Sequence, residues 1–203
     1  MVFMSRTQAE RSAATQARLL EAALACLVER GYHGTSTAAV CRRAGVTRGA
    51  QLHHYPTKAA LLAAAVEHVF TVRHEELRAR LAAGPLGLEA LVDHLWEIYS
   101  GPTLAAWQEL VVASRTDAAL RRVVKRVDAR FTADAEVTFR SMFKLPAGVD
   151  VAAATRVVLA LFDGLALANV VVRDAPLARR ALTELRRLLA PWLAGAQKKR
   201  RTR

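Results

Sequence analysis

Apolar residues return at helical spacing along nearly the whole chain, and nowhere do they alternate at period two for long enough to make a convincing strand. Leu20, Ala23, Leu24, Leu27 and Val28 occupy the i, i+3, i+4, i+7 and i+8 positions of one helix face. The pattern recurs in Leu62, Ala65, Val66, Val69 and Phe70, then in Leu88, Leu91, Val92, Leu95, Trp96 and Tyr99. It returns in Leu120, Val123, Val124, Val127 and Phe131, and again in Leu182, Leu185, Leu188, Leu189 and Trp192. Segment 151–173 is apolar almost all the way round, which predicts burial on more than one side. Gly31, Gly45-Val46, Pro56, Gly84-Pro85, Gly101-Pro102, Leu145-Pro146-Ala147-Gly148 and Asp174-Ala175-Pro176 punctuate the series. The expectation is an all-α protein of about nine helices without internal repeats. Ser12 is the candidate N-cap of the first helix, Gly31 its end, and Thr57 the cap of a long later one.

Charge narrows the partners. The net charge is +12, and it is focal. Residues 1–58 carry eight Lys/Arg against three Glu, and 198–203 carry five basic residues and no acid, whereas 59–197 is nearly balanced. Two positive ends suit a polyanion, nucleic acid first and a membrane surface second; the tail also reads as a solvated arm. Cys26 and Cys41 are too few for a disulfide framework, so reduced thiols and a cytoplasmic protein are expected. Residues 1–10 lack the apolar core of a signal peptide. The most apolar stretch, 157–172, is interrupted by Asp163, Gly164 and Asn169 and reads as a buried helix rather than a membrane span.

The functional information is concentrated in residues 31–62. Two short helical segments, 37–44 and 47–53, flank Gly45-Val46, and such a pair can set its second helix into a major groove. Thr35, Ser36 and Thr37 open the first segment, where hydroxyls and free N–H groups can meet a phosphate. Gly45 supplies the turn and Thr47 is a natural N-cap. Arg48, Gln51 and His53 are base- or phosphate-reading types, and Gly49-Ala50 leave room for the groove wall. His54, Tyr55 and Lys58 are candidates for the backbone beyond; Lys58, in the first turn of a helix, runs against the dipole preference for acids. Tyr55 has a second reading as packing against the first helix, and Thr35 as a turn residue.

The run Gly34-Thr35-Ser36-Thr37-Ala38-Ala39-Val40-Cys41-Arg42-Arg43-Ala44-Gly45-Val46-Thr47-Arg48-Gly49-Ala50 resembles the DNA-binding signature of TetR-family regulators. His53-His54-Tyr55-Pro56-Thr57-Lys58 and Leu61-Leu62 continue it in register. The resemblance implies a helix-turn-helix domain over 1–58 and a helical domain over 59–197 that binds a small molecule and dimerises. It implies a homodimer through 151–173 and 177–193, bound to a palindromic operator. The long helix joined directly to the reader through Pro56-Thr57 leads to the expectation that ligand releases the DNA by shifting segment 57–81. Two departures stand out. Family members commonly carry Leu-Tyr where this chain has Gln51-Leu52, and the tyrosine touches a phosphate. Leu52 cannot do so, and the expectation is that Leu52 packs inward while Gln51 faces the groove. Cys41 replaces a usual alanine, which a compact buried thiol can absorb.

In the second domain Trp96, Tyr99 and Trp107 read first as core and alternatively as the wall of a ligand cavity. Phe162, Asp163 and Asn169 join that candidate set because polar groups interrupt an apolar helix there. A mostly hydrophobic ligand suits the composition. Enzymatic chemistry finds no support: the six histidines lack zinc-protease spacing, and neither a phosphate-binding glycine loop nor a nucleophile elbow occurs. No metal or cofactor is expected. The remaining alternatives are a same-fold regulator that activates or answers to a protein partner, and a helical protein whose DNA reader has lost its function.

Overall fold

The structure is a computed structural model and describes residues 7–84, 86–143, 148–172 and 174–197, with side chains as far as Pro191. Tail 198–203, the inward placement of Trp192, and the breakers at Pro85 and Leu145-Pro146-Ala147 lie outside the described residues. Among the described residues every element is helical: α1 Gln8–Gly34, α2 Thr37–Ala44, α3 Arg48–His54, α4 Lys58–Ala83, α5 Leu88–Tyr99, α6 Pro102–Ala113, α7 Ala118–Met142, α8 Val151–Val172 and α9 Ala175–Gln197. The all-α expectation is met.

Helix α1 begins before Ser12. Thr7 is its N-cap: the Glu10 N–H donates to Thr7 Oγ1 at 3.2 Å and the Thr7 N–H donates to Glu10 Oε2 at 2.7 Å, a reciprocal capping box. This polar first turn is exposed, so the apolar stripe that begins at Leu19 says nothing about it. At the other end Gly31 adopts φ 66°, ψ −179°, and the chain makes one more turn to Gly34 after the kink. Only glycine adopts that backbone without strain. Pro102 opens α6, where a missing N–H costs nothing. Asp117 caps α7 by accepting the Leu120 N–H at 2.9 Å.

The chain forms two compact units that interleave in sequence. The first comprises residues 1–70 and 105–127, the second 71–104 and 128–203. Chain order suggests a division at residue 58; packing instead groups most of α6 and the first turns of α7 with α1–α3 and the start of α4. The core of the first unit includes Leu19, Leu27, Val40, Leu61, Leu62, Val66, Leu110 and Leu120, all essentially inaccessible, and both cysteines are buried free thiols.

In the second unit α5 packs on α8 and α9, with Val92, Tyr99, Phe162, Leu182 and Leu185 buried. Helix α8 departs from the expectation of burial on several sides. This chain covers a single face, carrying Thr155, Val158, Leu159, Phe162 and Ala166, while Val157, Leu161, Leu167, Val170, Val171 and Val172 remain exposed. By length and composition α8 could cross a membrane, and within this unit one of its faces packs on α5 and α9.

Candidate nucleic-acid interface

Local chemistry sets the geometry of α2 and α3. Ser36 Oγ accepts the Ala39 N–H at 3.2 Å and so fixes the start of α2. Gly45 ends it in the left-handed region at φ 61°, with its own N–H donating to Arg42 O and the Val46 N–H to Cys41 O at 3.0 Å. Two residues later Thr47 Oγ1 accepts the Ala50 N–H at 3.2 Å and α3 begins. The next cap follows at once: Thr57 Oγ1 accepts the Ala60 N–H at 3.0 Å and starts α4. Three hydroxyl caps and one left-handed glycine therefore lock a helix–turn–helix against the buried stripe of α1.

The exposed side of this pair carries Ser36, Thr47, Arg48, Gly49, Leu52 and His53, with Thr37, His54 and Lys58 half-buried beside it. Nothing lies within 4 Å of a Cβ built at Gly49, so the fold does not require a glycine there. His53 and His54 meet edge to face with ring centroids 5.3 Å apart. Arg43 pairs with Glu29 at 2.6 Å on the rim, an exposed bridge that solvent screens and that adds little to stability.

Four side chains of this region are placed differently from the sequence-based expectation or settle its alternatives. Gln51 is 1% exposed: its Nε2 donates to Tyr55 O, and its Oε1 is buried without a partner. Leu52, expected inside, is 47% exposed. The two have exchanged the roles assigned to them: Gln51 lies in the core, and Leu52, a further 100° around α3, faces outward. Thr35 is 2% exposed and its Oγ1 lies 2.9 Å from Cys26 O and 2.8 Å from Gly31 O, so the hydroxyl is spent on closing α1. Tyr55 is also buried. Its hydroxyl accepts from Gln16 Nε2 at 2.9 Å, and burial raises its pKa.

Sequence reading missed a second cluster, at Tyr32, just past the Gly31 kink. The Tyr32 N–H donates to Glu109 Oε2 of α6 at 3.3 Å, and the Tyr32 hydroxyl donates to Asp117 Oδ2 at the start of α7 at 3.0 Å. Lys58 Nζ stands 4.4 Å over the Tyr32 ring. Burial, then the Asp117 carboxylate, push the Tyr32 phenol up to about 12, while the Leu120 N–H and the Tyr32 hydroxyl hold Asp117 below the usual carboxylate range. Burial lowers the Lys58 pKa and the Asp117 charge opposes it. A Cβ at Gly31 would lie 2.7 Å from Glu109 Oε2, so glycine here also makes room for the carboxylate. The donors and acceptors are 77 and 85 residues apart in sequence, beyond the reach of any local pattern.

The aromatic ligand candidates are divided between the two units. Trp107 packs edge to face on Phe70 at 5.7 Å in the first unit. Tyr99 and Phe162 meet at 5.1 Å in the second, where Trp96, Asp163 and Asn169 are half-buried. Burial drives the Tyr99 phenol upward, aided by the charge of Asp163, and raises the Asp163 carboxyl to about 6 against the attraction of Arg156. Arg156 itself grips both oxygens of Asp128 at 3.1 and 3.0 Å and donates to Thr132 Oγ1 at 2.9 Å. Among the described residues no group of three or more His, Cys, Asp or Glu is placed to hold a metal ion.

A locked helix–turn–helix with an exposed basic second helix, attached to a helical unit, defines a DNA-binding transcription regulator. Residues 19–65 match the family model described as bacterial regulatory proteins of the tetR family, and residues 99–194 match that of the BetI-type transcriptional repressor C-terminal domain. The chain is 32% identical over 198 residues to an HTH-type transcriptional regulator of Mycobacterium bovis, covering 94% of this chain and all of that one. It is 41% identical over 128 residues to the HTH-type transcriptional regulator CymR of Pseudomonas putida, covering 62% of this chain and 63% of CymR. A transcriptional regulator of Saccharomonospora viridis, solved with choline, shares the fold with a TM-score of 0.66 at 18% identity, covering 88% of this chain and 96% of that one. The chain belongs to the TetR family of transcriptional regulators.

Proposed function

We propose that the protein is a homodimeric repressor that leaves a palindromic operator when a small, mostly hydrophobic molecule binds its helical domain. The observation that carries this reading is the grip on Tyr32. The end of α1, against which the DNA reader is packed, is held by one carboxylate from α6 and one from the start of α7. A ligand that binds better to a state with α6 and the start of α7 displaced would loosen both bonds, and its differential affinity sets how far the reader moves. Two further features agree. The uncovered valines and leucines of α8, with Leu177 and Leu188 of α9, offer an apolar face for a second copy through 151–173 and 177–193. The Saccharomonospora viridis regulator, which has the same fold, was solved with a small molecule bound.

Within this reading Ser36, Thr37, Thr47, Arg48, Gly49, His53, His54 and Lys58 meet the DNA, and a dimer sets its two α3 helices about 34–36 Å apart, one turn of the duplex. The test is fluorescence-anisotropy titration against duplexes flanking the gene, at several salt concentrations, beside a scrambled duplex. Selective binding with two chains per site is expected, as is its reversal by compounds that raise the melting temperature of the free protein. Equal and steeply salt-dependent binding to both duplexes, or one chain per site, would sink the reading.

A further inference from the structure

We infer that Leu52 is a specificity-determining residue that reads the 5-methyl group of a thymine in the major groove; the inference rests on α3 being the reading helix. Between Val28 and Val72, a stretch described throughout, it is the one large apolar side chain left exposed, at 47% of its surface. Its position is costly twice over. Gln51 lies in the core with a buried, unpartnered carbonyl oxygen, while the leucine beside it faces solvent. The Gln51 amide still serves the fold by donating to Tyr55 O, whereas Leu52 leaves nearly half its surface to solvent, free for work outside the fold.

The surroundings of Leu52 say what that work is. Arg48 and Gly49 precede it by four and three residues, which places them on the same face one turn earlier. Arg48 is exposed and cationic, suited to a phosphate or to the edge of a guanine. Nothing occupies the space within 4 Å of a Cβ at Gly49, so no side chain holds the groove floor away from Leu52. An isobutyl group can neither donate to a phosphate nor hydrogen-bond a base edge. The apolar feature that the major groove presents is the thymine methyl.

The experiment begins with full-length protein and a random-sequence duplex pool, from which preferred duplexes are selected. Each thymidine of a selected duplex is then replaced singly by deoxyuridine, which removes the methyl alone, and affinity is measured at fixed salt. At one thymine per half-site the change should weaken binding about threefold to fivefold, the share of one buried methyl. Leu52→Ala should bind the two duplexes equally at that position, keep the other positional preferences, and keep the slope of affinity against salt. Its circular dichroism and melting temperature report whether it stays folded. Tolerance of deoxyuridine at every position, or a thymine preference that survives in Leu52→Ala, would overturn the inference. A pool that yields no preferred sequence would instead overturn the reading function of α3, a distinct failure.

Discussion

Helices α3 and α8 both invert the usual rule of polar outside and apolar inside, on different scales. In α3 the inversion is confined to Gln51 and Leu52, within a helix otherwise studded with Arg48, His53 and His54. In α8 a whole flank is inverted: six apolar side chains face outward, while Thr155 is buried with an unpartnered Oγ1 and Asp163 is half-buried. A single exposed leucine suits a small apolar target such as a methyl group. A broad exposed flank suits another helical surface. On the proposed reading, the size of the apolar patch separates a helix that addresses DNA from a helix that addresses protein.

The largest effect tests whether α8 has one structural face and one partner face. Phe162 is fully buried against Tyr99, and Phe162→Ala should cost about 3–5 kcal/mol in urea unfolding of the second unit. Val157→Glu, on a side chain 63% exposed, should leave circular dichroism unchanged and convert the proposed dimer to monomer in sedimentation velocity. If Val157→Glu unfolds the chain as Phe162→Ala does, the two faces are not distinct.

The next effect is smaller and tests the exchange in α3. Gln51→Ala removes a side chain from a closed core and strips Tyr55 O of a donor, a loss of about 1–3 kcal/mol. Leu52→Ala should stay within about 0.5 kcal/mol of wild type, as exposed substitutions do. Equal losses would mean that Leu52 is packed after all.

These two positions also mark how far the sequence could be read. The bounds of α2 and the starts of α3 and α4 were legible because Ser36, Gly45, Thr47 and Thr57 act within three or four residues of themselves. The facing of Gln51 and Leu52 was not, since hydropathy ranks leucine inward and the two side chains stand only 100° apart. Thr35 was misplaced for a related reason: a hydroxyl before a helix is ordinarily a capping or phosphate group, and its partners Cys26 O and Gly31 O exist only once α1 has kinked. The Tyr32 cluster was illegible in principle, because each of its bonds joins distant segments. In α8 the apolar circumference was legible and its meaning was not: periodicity records that a face avoids water without saying whether its own chain or another covers it.

The smallest effect concerns the polar group on the buried side of α8. Asp163 has its pKa raised to about 6 by burial, with Arg156 lowering it and Asp128 raising it, and its charge adds to the burial that raises the Tyr99 phenol. The unfolded carboxyl titrates near its ordinary 3.8. Between about pH 4 and 6 the folded chain therefore holds a proton that the unfolded chain has released, and stability falls as pH rises through that window. Below it both states are protonated and above it both are ionised, so this contribution is flat on either side. Partial exposure lets solvent screen the charge, which keeps the slope shallow. Asp163→Asn removes the titration. Urea midpoints of wild type and variant should run parallel below pH 4, diverge in favour of the variant up to about pH 6, and run parallel again above it. A constant difference across the range would show that the α8 carboxyl is solvated like a surface group, and Asp163 would then not belong with Gln51 among the polar groups held on an inner face.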